Sequence, residues 1–503
     1  MTDTIDAAVS TDGRALARLG IPGLDEILRG GLPRNRIFLI DGIPGTGKTT
    51  LALQFLLEGV AQGERGLYVT LSETKEELRA AAHSHGWSLE GIEIVELSAL
   101  TGEASDEAYT LFHPAEVELQ HTVELVLSEI ERHRPQRVAF DSLSEMRMLA
   151  RDALRFRRQI LALKQFFVGR ECTVLLLDDR AHPDGDLQLH SLAHGVIVLE
   201  HLSMDYGAER RRMQVMKLRG SRFAGGYHDF RIKTGGIEVY PRIQRGASIP
   251  PATTTPIQSG SRELDALLGG GLERGTSTLL TGAAGTGKSV LAMQFALTAV
   301  ARGEHARIFM FDERASTAMI RAEGLGLDIK PPIADGRLEL CQIEPTEMSP
   351  GEFANQVVRA VEDEGGSLII LDSINGFLQA MPTERLLAVQ LHEMLSYLST
   401  RGVSVIMTLV QRGIFGAPVD EAAEVSYLAD TVVLLRYFEH AGMVRRAISV
   451  VKKRSGAHEP TIREFRVEPG GLRVGEPLTE FRGVLTGNPE YLGQLGPLMA
   501  DKA

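Results

Sequence analysis

Short runs of apolar residues recur along this chain, and each is followed by a polar or glycine-rich break. RIFLID (36–41) and STLLTG (277–282) run straight into glycine-rich loops. The segments behind those loops carry Leu51, Phe55 and Leu56, or Leu291 and Phe295, at helical spacing. GLYVTLSE (66–73) and RIFMFDE (307–313) predict second strands. RVAFDSL (137–143) and SLIILDS (367–373) predict third strands, each closing on aspartate. TVLLLDD (173–179) and VSVIMTL (403–409) follow, each after a helical stretch. Near-continuous apolar strands separated by helices predict an α/β fold with a buried, mostly parallel sheet. In such sheets the chemistry gathers in the loops at the carboxyl ends of the strands.

The pattern occurs twice. One copy begins at Leu19 and the other at Gln258, and the lysines of the two GTGK motifs, Lys48 and Lys288, lie 240 residues apart. That period is far longer than a solenoid unit, so it means duplicated domains. Residues 241–257, PRIQRGASIPPATTTPI, hold four prolines and no apolar periodicity, which predicts an extended linker. The expected domains are therefore 1–240 and 258–489, with a short loose tail over 490–503. Residues 101–115 read as a polar surface loop.

Charge narrows the function. Among 503 residues, 66 acids outnumber 54 Lys and Arg, a formal charge of −12. Nucleic acid and anionic membranes are bound mainly through clustered cations, so neither is expected as a main partner. No apolar run approaches the roughly 18 residues needed to span a bilayer. The start, MTDTIDAAVSTDG, resembles neither a secretory signal nor a transit peptide. Cys172 and Cys341 are the only cysteines and are too far apart for a CxxC site. A cytoplasmic location is expected.

Gly42-Ile-Pro-Gly45-Thr46-Gly47-Lys48-Thr49 and Gly282-Ala-Ala-Gly285-Thr286-Gly287-Lys288-Ser289 both satisfy GxxxxGK[ST]. Glycines there let backbone amides turn inward around phosphate, and the loop ends at a helix N-terminus. Lys48 and Lys288 can reach the β and γ phosphates, and Thr49 and Ser289 can ligate Mg2+. Asp141 and Asp372 end apolar strands downstream, where an aspartate can hold the magnesium shell. The second strands end in Ser72-Glu73 and Asp312-Glu313. A carboxylate beside the γ phosphate can polarise an attacking water or hydroxyl, so Glu73, Glu313 and Asp312 are the candidate catalytic groups. Late in each repeat stands a Lys-x-Arg, Lys217-Leu218-Arg219 and Lys452-Lys453-Arg454. These cations could act in trans across a subunit interface, as an arginine finger does.

With these residues assembled, the chain resembles the KaiC family, the tandem-ATPase kinases of the cyanobacterial circadian clock, over essentially its whole length. The matching residues include Gly30 to Pro33, both phosphate loops, Ser84-His-Gly-Trp87 and the two Asp-Ser strand ends. They also include Glu209 to Gly220, Ala429-Asp430-Thr431, Arg446-Ala-Ile, His458 and Ile462 to Phe465. The resemblance implies tandem RecA-like domains, a homohexameric double ring, and ATP with Mg2+ at subunit interfaces. It implies hydrolysis in the first ring and autophosphorylation in the second. It extends the ATP contacts to Thr50, Ser84, Leu218, Ser221, Val290, Arg446 and His458, beside the loop residues and Lys-x-Arg motifs already named. The family's two adjacent phosphoacceptors fall on Ser426 and Tyr427.

The chain departs from the family at several points. Tyr427 replaces a threonine, and Glu421 stands where another hydroxyl is usual. The family's Glu-Glu pair is Ser72-Glu73 in one repeat and Asp312-Glu313 in the other. Phe223 stands where the first ring usually has His, and Ser455 replaces a glycine. Only 14 residues follow Pro489, so the tail offered to the family's activator looks shortened. KaiB-like or other signalling proteins are the expected partners. Two other readings compete. One is a signalling ATPase of this family without kinase activity. The other is a RecA-like DNA motor, against which the acidic balance argues.

Overall fold

The computed structural model describes residues 15–97, 114–150, 152–179, 187–203, 207–243, 255–379, 387–411, 426–485 and 489–493. The chain forms two compact units, Met1–Arg242 and Ile243–Ala503. Each is built on one nine-stranded sheet.

In the first unit the sheet strands are β1 (Ile37–Asp41), β2 (Gly66–Thr70), β3 (Ile92–Glu96), β4 (Arg137–Asp141), β5 (Thr173–Asp178), β6 (Gly195–Leu202), β7 (Arg210–Leu218), β8 (Tyr227–Lys233) and β9 (Gly236–Tyr240). Their order is β9-β8-β7-β6-β1-β5-β4-β2-β3. The six strands from β6 to β3 in that order are parallel, and β7, β8 and β9 extend the sheet antiparallel. The second unit repeats this with β10 (Ser277–Gly282), β11 (His305–Met310), β12 (Leu338–Gln342), β13 (Gly366–Asp372), β14 (Ser404–Val410), β15 (Thr431–His440), β16 (Met443–Lys453), β17 (Arg463–Glu468) and β18 (Gly471–Pro477). Its order, β12-β11-β13-β14-β10-β15-β16-β17-β18, is the same topology read from the other edge.

The alternation of side chains along a strand explains the two-layered cores. Phe38 and Ile40 face one layer with Leu51, Phe55 and Leu56 of α1 (Lys48–Ala61). Ile37 and Leu39 face the other, with Val126, Ile130 and Ile160. Every residue of β1 is buried, as a central strand covered on both faces requires. The same division recurs around β10, where Leu280 packs with Phe295 of α3 (Lys288–Ala301) and Leu279 faces Leu391 and Leu398.

Two boundary readings change. Ile257, assigned to the proline-rich linker, is fully buried and bridges Leu272 through paired backbone hydrogen bonds of 2.7 and 2.8 Å. Its apolar side chain belongs to the second core. Glu490–Tyr491, assigned to the tail, pairs with Phe481–Arg482, and the Tyr491 and Phe481 rings lie 5.2 Å apart. The loop reading over 101–113, linker residues 244–254, Glu421 and tail residues 494–503 fall outside the described residues. No described helix is long and apolar enough to cross a membrane.

Candidate nucleotide sites

Both phosphate loops leave the central strand at the point where the sheet order reverses, which is where open α/β sheets bind ligands. Gly47 and Gly287 cap the helices behind them with φ of 98° and 107°. The left-handed backbone at Gly47 demands glycine, and a Cβ there would also push Ile232 Cδ1, 2.7 Å away, aside. Gly45 and Gly285 also have positive φ, 81° and 76°. Thr46 Oγ1 donates to the Ile43 carbonyl at 2.8 Å, and Thr286 Oγ1 to that of Ala283 at 2.9 Å, closing each loop on itself.

The loop lysines curl back into these loops. Lys48 Nζ donates to the carbonyls of Gly42 (2.7 Å) and Ile43 (3.1 Å) and pairs with Asp179 at 2.7 Å. Lys288 Nζ donates to Gly282 (2.9 Å) and Ala283 (2.7 Å). The register aligns Asp179 with Val410, so Lys288 meets no carboxylate there. Burial pulls the Lys288 ammonium down to about 8, and Asp372 offsets part of that.

The aspartates that end the third strands are held differently. Asp141 Oδ2 accepts from Tyr68 at 2.6 Å and from Thr49 Oγ1 at 3.2 Å. Burial raises the Asp141 carboxyl, and these two hydroxyls with Lys48 oppose that rise. Asp372 Oδ1 accepts from Thr408 at 2.5 Å. The peptide after each aspartate, Asp141-Ser142 and Asp372-Ser373, is cis. A loop hydroxyl touching a strand-end carboxylate is a hard-oxygen pair suited to Mg2+. Among the described residues no cluster of three or more His, Cys, Asp and Glu forms a metal site made of protein groups alone.

Glu73 follows β2, whose end is pinned to β4 by Leu71 N donating to Asp141 O at 2.8 Å. Thr70 Oγ1 both accepts from Glu73 N and donates to Glu73 O, at 2.9 Å each, fixing the turn. Burial, then the charges of Asp141 and Glu77, raise the Glu73 carboxyl. In the second unit, Phe311 N likewise donates to Asp372 O at 2.9 Å. Asp312 accepts from the Ser373 hydroxyl, and Glu313 pairs with Arg321.

The remaining predicted contacts split into two groups. Thr50, Ser289 and the buried Val290 sit with the loops. Arg446 lies near the loop end of β16, its guanidinium 5.6 Å from the Tyr437 ring centre. Lys217 and Leu218 close β7 at the far end of the sheet, with Arg219 just past it. Leu218 pairs with Gly195, which pairs with Phe38 near the start of β1. Ser221 follows, its hydroxyl buried and unpartnered. Lys452 and Arg454 occupy the same far end of the second sheet. They bind the acceptor segment: Lys452 Nζ donates to the carbonyls of Ser426 (2.9 Å) and Ala429 (2.7 Å), and Arg454 to that of Tyr427 (2.7 Å). Ser426 is half-buried and Tyr427 is exposed. Ser84 ends α2 (Lys75–Ser84), donating to Ala81 O at 2.7 Å. His458 lies in a loop packed over Gly269.

Four partners escaped the sequence reading: Tyr68, Asp179, Thr408 and Arg321. Only Asp179 had a visible signal, the doubled acid closing TVLLLDD.

Two phosphate loops, each at the switch point of a nine-stranded sheet with an aspartate across from it, define tandem RecA-like ATPase domains. The KaiC ATPase family model matches residues 17–244 and again 257–479, and the chain belongs to that family. Similar proteins include circadian clock protein KaiC3 of Synechocystis, 27% identical over 96% of both chains. Circadian clock oscillator protein KaiC of Picosynechococcus is 27% identical over 93% of this chain and 91% of its own. That of Synechococcus elongatus is 25% identical over 95% and 93%.

Proposed function

We propose that this chain is an ATP-dependent serine/threonine autokinase and ATPase, acting as a cytoplasmic head-to-tail homohexamer whose phosphorylation state signals to partner proteins, KaiB-like ones among them. The observation that carries this reading is the polarity of each sheet. The phosphate loop leaves one end, while the Lys-x-Arg motif and, in the second unit, Ser426 and Tyr427 sit at the other. Gly282 is five residues from Ser277, whose backbone carbonyl accepts from Asp430 N at 2.8 Å. At ~3.3 Å per residue that is roughly 15 Å of strand. A γ phosphate held at Lys288 is thus out of reach of its own chain's Ser426. A neighbour presenting its far end to the loop closes that gap, and head-to-tail contacts of this kind generate rings.

In the first unit, Lys48 would contact the phosphates and Glu73 would orient water. Lys217 and Arg219 of the neighbour would offset the charge that develops. In the second, the hydroxyl oxygen of Ser426 attacks the γ phosphorus. The bond to the β–γ bridging oxygen breaks, ADP leaves, and Asp312 or Glu313 takes the proton. Mg2+, held through Thr49 and Asp141 or Ser289 and Asp372, would neutralise phosphate charge. Phosphoserine adds roughly −1.5 to −2 charge beside Lys452 and Arg454, enough to reset local pairing. Incubation with MgATP followed by mass spectrometry tests the kinase reading. Phosphate on Ser426 or Tyr427 is expected, and none between 420 and 431 removes it.

A further inference from the structure

Glu313 and Glu73 occupy matching positions, yet among the described residues only Glu313 is in an ion pair. One terminal nitrogen of Arg321 lies 2.6 Å from Glu313 Oε1 and also contacts Oε2. Arg321 stands in the last turn of α4 (Ala315–Gly324), so it reaches back along its own helix to a carboxylate just ahead of the helix start. Both side chains are partly buried, 32% and 23% exposed, where an ion pair is screened less than at an open surface. The matching position in α2 is Ala81, whose methyl group carries no charge to offer. Among the described residues Glu73 makes no ion pair; the charge of Lys48 opposes the rise of its carboxyl, but less than burial, Asp141 and Glu77 raise it.

We infer that Arg321 is a positioning residue of the second site, holding Glu313 in the orientation in which it serves the nucleophile. The inference rests on the reading of Glu313 as a proton-handling group. Asp372, Asp312 and Glu313 all lie at or just beyond the ends of the paired strands β13 and β11. Asp372 is tied by Thr408 and Asp312 by Ser373, so each has a fixed donor. Without Arg321, Glu313 would be the one acid of the three with no side-chain donor among the described residues. The first site has Ser72 in place of Asp312 and needs no such restraint. Misplacement of a reacting group by about 1 Å can cost 10²-fold in rate, so the restraint matters at turnover rather than at binding.

The test uses the full-length chain in an E73Q background, and the initial rate of labelled phosphate entering residues 426–427, read against ATP concentration as kcat and KM, reports the second site. R321M should lower kcat by roughly tenfold to a hundredfold with KM for ATP changed less than about twofold. R321K should recover part of the loss, since it restores the charge without the planar fork. E313Q in the same background should lower kcat at least as far as R321M. If E313Q lowers turnover while R321M does not, the inference fails and the reading of Glu313 stands. If E313Q is without effect, that reading fails and takes the inference with it. A raised KM in R321M, or no recovery in R321K, would make Arg321 a nucleotide contact or a structural residue and overturn the proposal. Circular dichroism of R321M and R321K excludes unfolding as the cause.

Discussion

The Tyr68 hydroxyl donates to Asp141 Oδ2 at 2.6 Å, and the matching position of the second unit is Ile308. Tyr68 is fully buried, and its phenol is raised well above the ordinary value by burial and by Asp141. It therefore stays protonated and serves only as a donor. Thr408 does the corresponding work for Asp372, from the strand on the other side. The two sites thus reach one arrangement, an aspartate fixed by a neutral donor, by different residues.

Replacing Tyr68 with Phe should weaken the first site's hold on Mg2+. Partners that orient a metal-binding carboxylate are worth about 10- to 100-fold in metal affinity. The Mg2+ requirement for hydrolysis should shift upward by about tenfold, while T408V should shift only the second site. A Y68F enzyme with an unchanged Mg2+ titration would show that Tyr68 merely packs.

Lys288 makes nucleotide binding at the second site depend on pH. Without ATP its ammonium is held down to about 8 by burial. The charged form is the one phosphate needs, so bound ATP pulls the proton back on. Apparent affinity should fall as pH rises through 8, by about tenfold per unit well above it. At pH 8.5, binding should take up most of one proton, seen as a heat that varies with the buffer's ionisation enthalpy. Identical heats in two buffers would contradict this.

Lys48 is placed differently, because Asp179 competes for it at 2.7 Å. Phosphate must displace that carboxylate before it gains the lysine. D179N should therefore tighten ATP binding at the first site, by roughly three- to tenfold, and most at low salt, where charge is least screened. The matched change V410D should weaken the second site. Weaker binding in D179N would instead make Asp179 part of the bound site.

These asymmetries could not be read from the linear sequence. The phosphate loops and strand-end acids were legible because their chemistry is written in contiguous residues. Glu73 and Glu313 were legible only through the repeat. Tyr68 meets Asp141 across a strand pair, and nothing in GLYVTLSE marks it as more than a core aromatic. Arg321 needs the helix start as well as the spacing, since Glu313 precedes the helix. Ile257 looked like linker because its partner, Leu272, lies 15 residues away behind a helix. Composition sees prolines, but it cannot see a backbone bridge.

Arg137 carries the last prediction, and it concerns stability. This arginine opens β4 with its side chain fully buried. Its Nε pairs with Glu64, its Nη1 donates to the carbonyls of Arg18 (2.6 Å) and Phe55 (2.8 Å), and its Nη2 to Gln62 at 3.2 Å. The guanidinium also lies 4.8 Å from the Phe55 ring centre. A buried charge stripped of its counter-ion is worse than a pair that never existed, because the desolvation cost stays and the attraction goes. E64Q should therefore destabilise the first unit by about 3–5 kcal/mol. Adding R137M should recover part of that loss, since it removes the stranded charge. Trp87, the only tryptophan, lies in the first unit, so its fluorescence in a denaturant titration reports that unit alone. If E64Q unfolds at the wild-type midpoint, the Arg137 network is held by its carbonyl partners rather than by the ion pair.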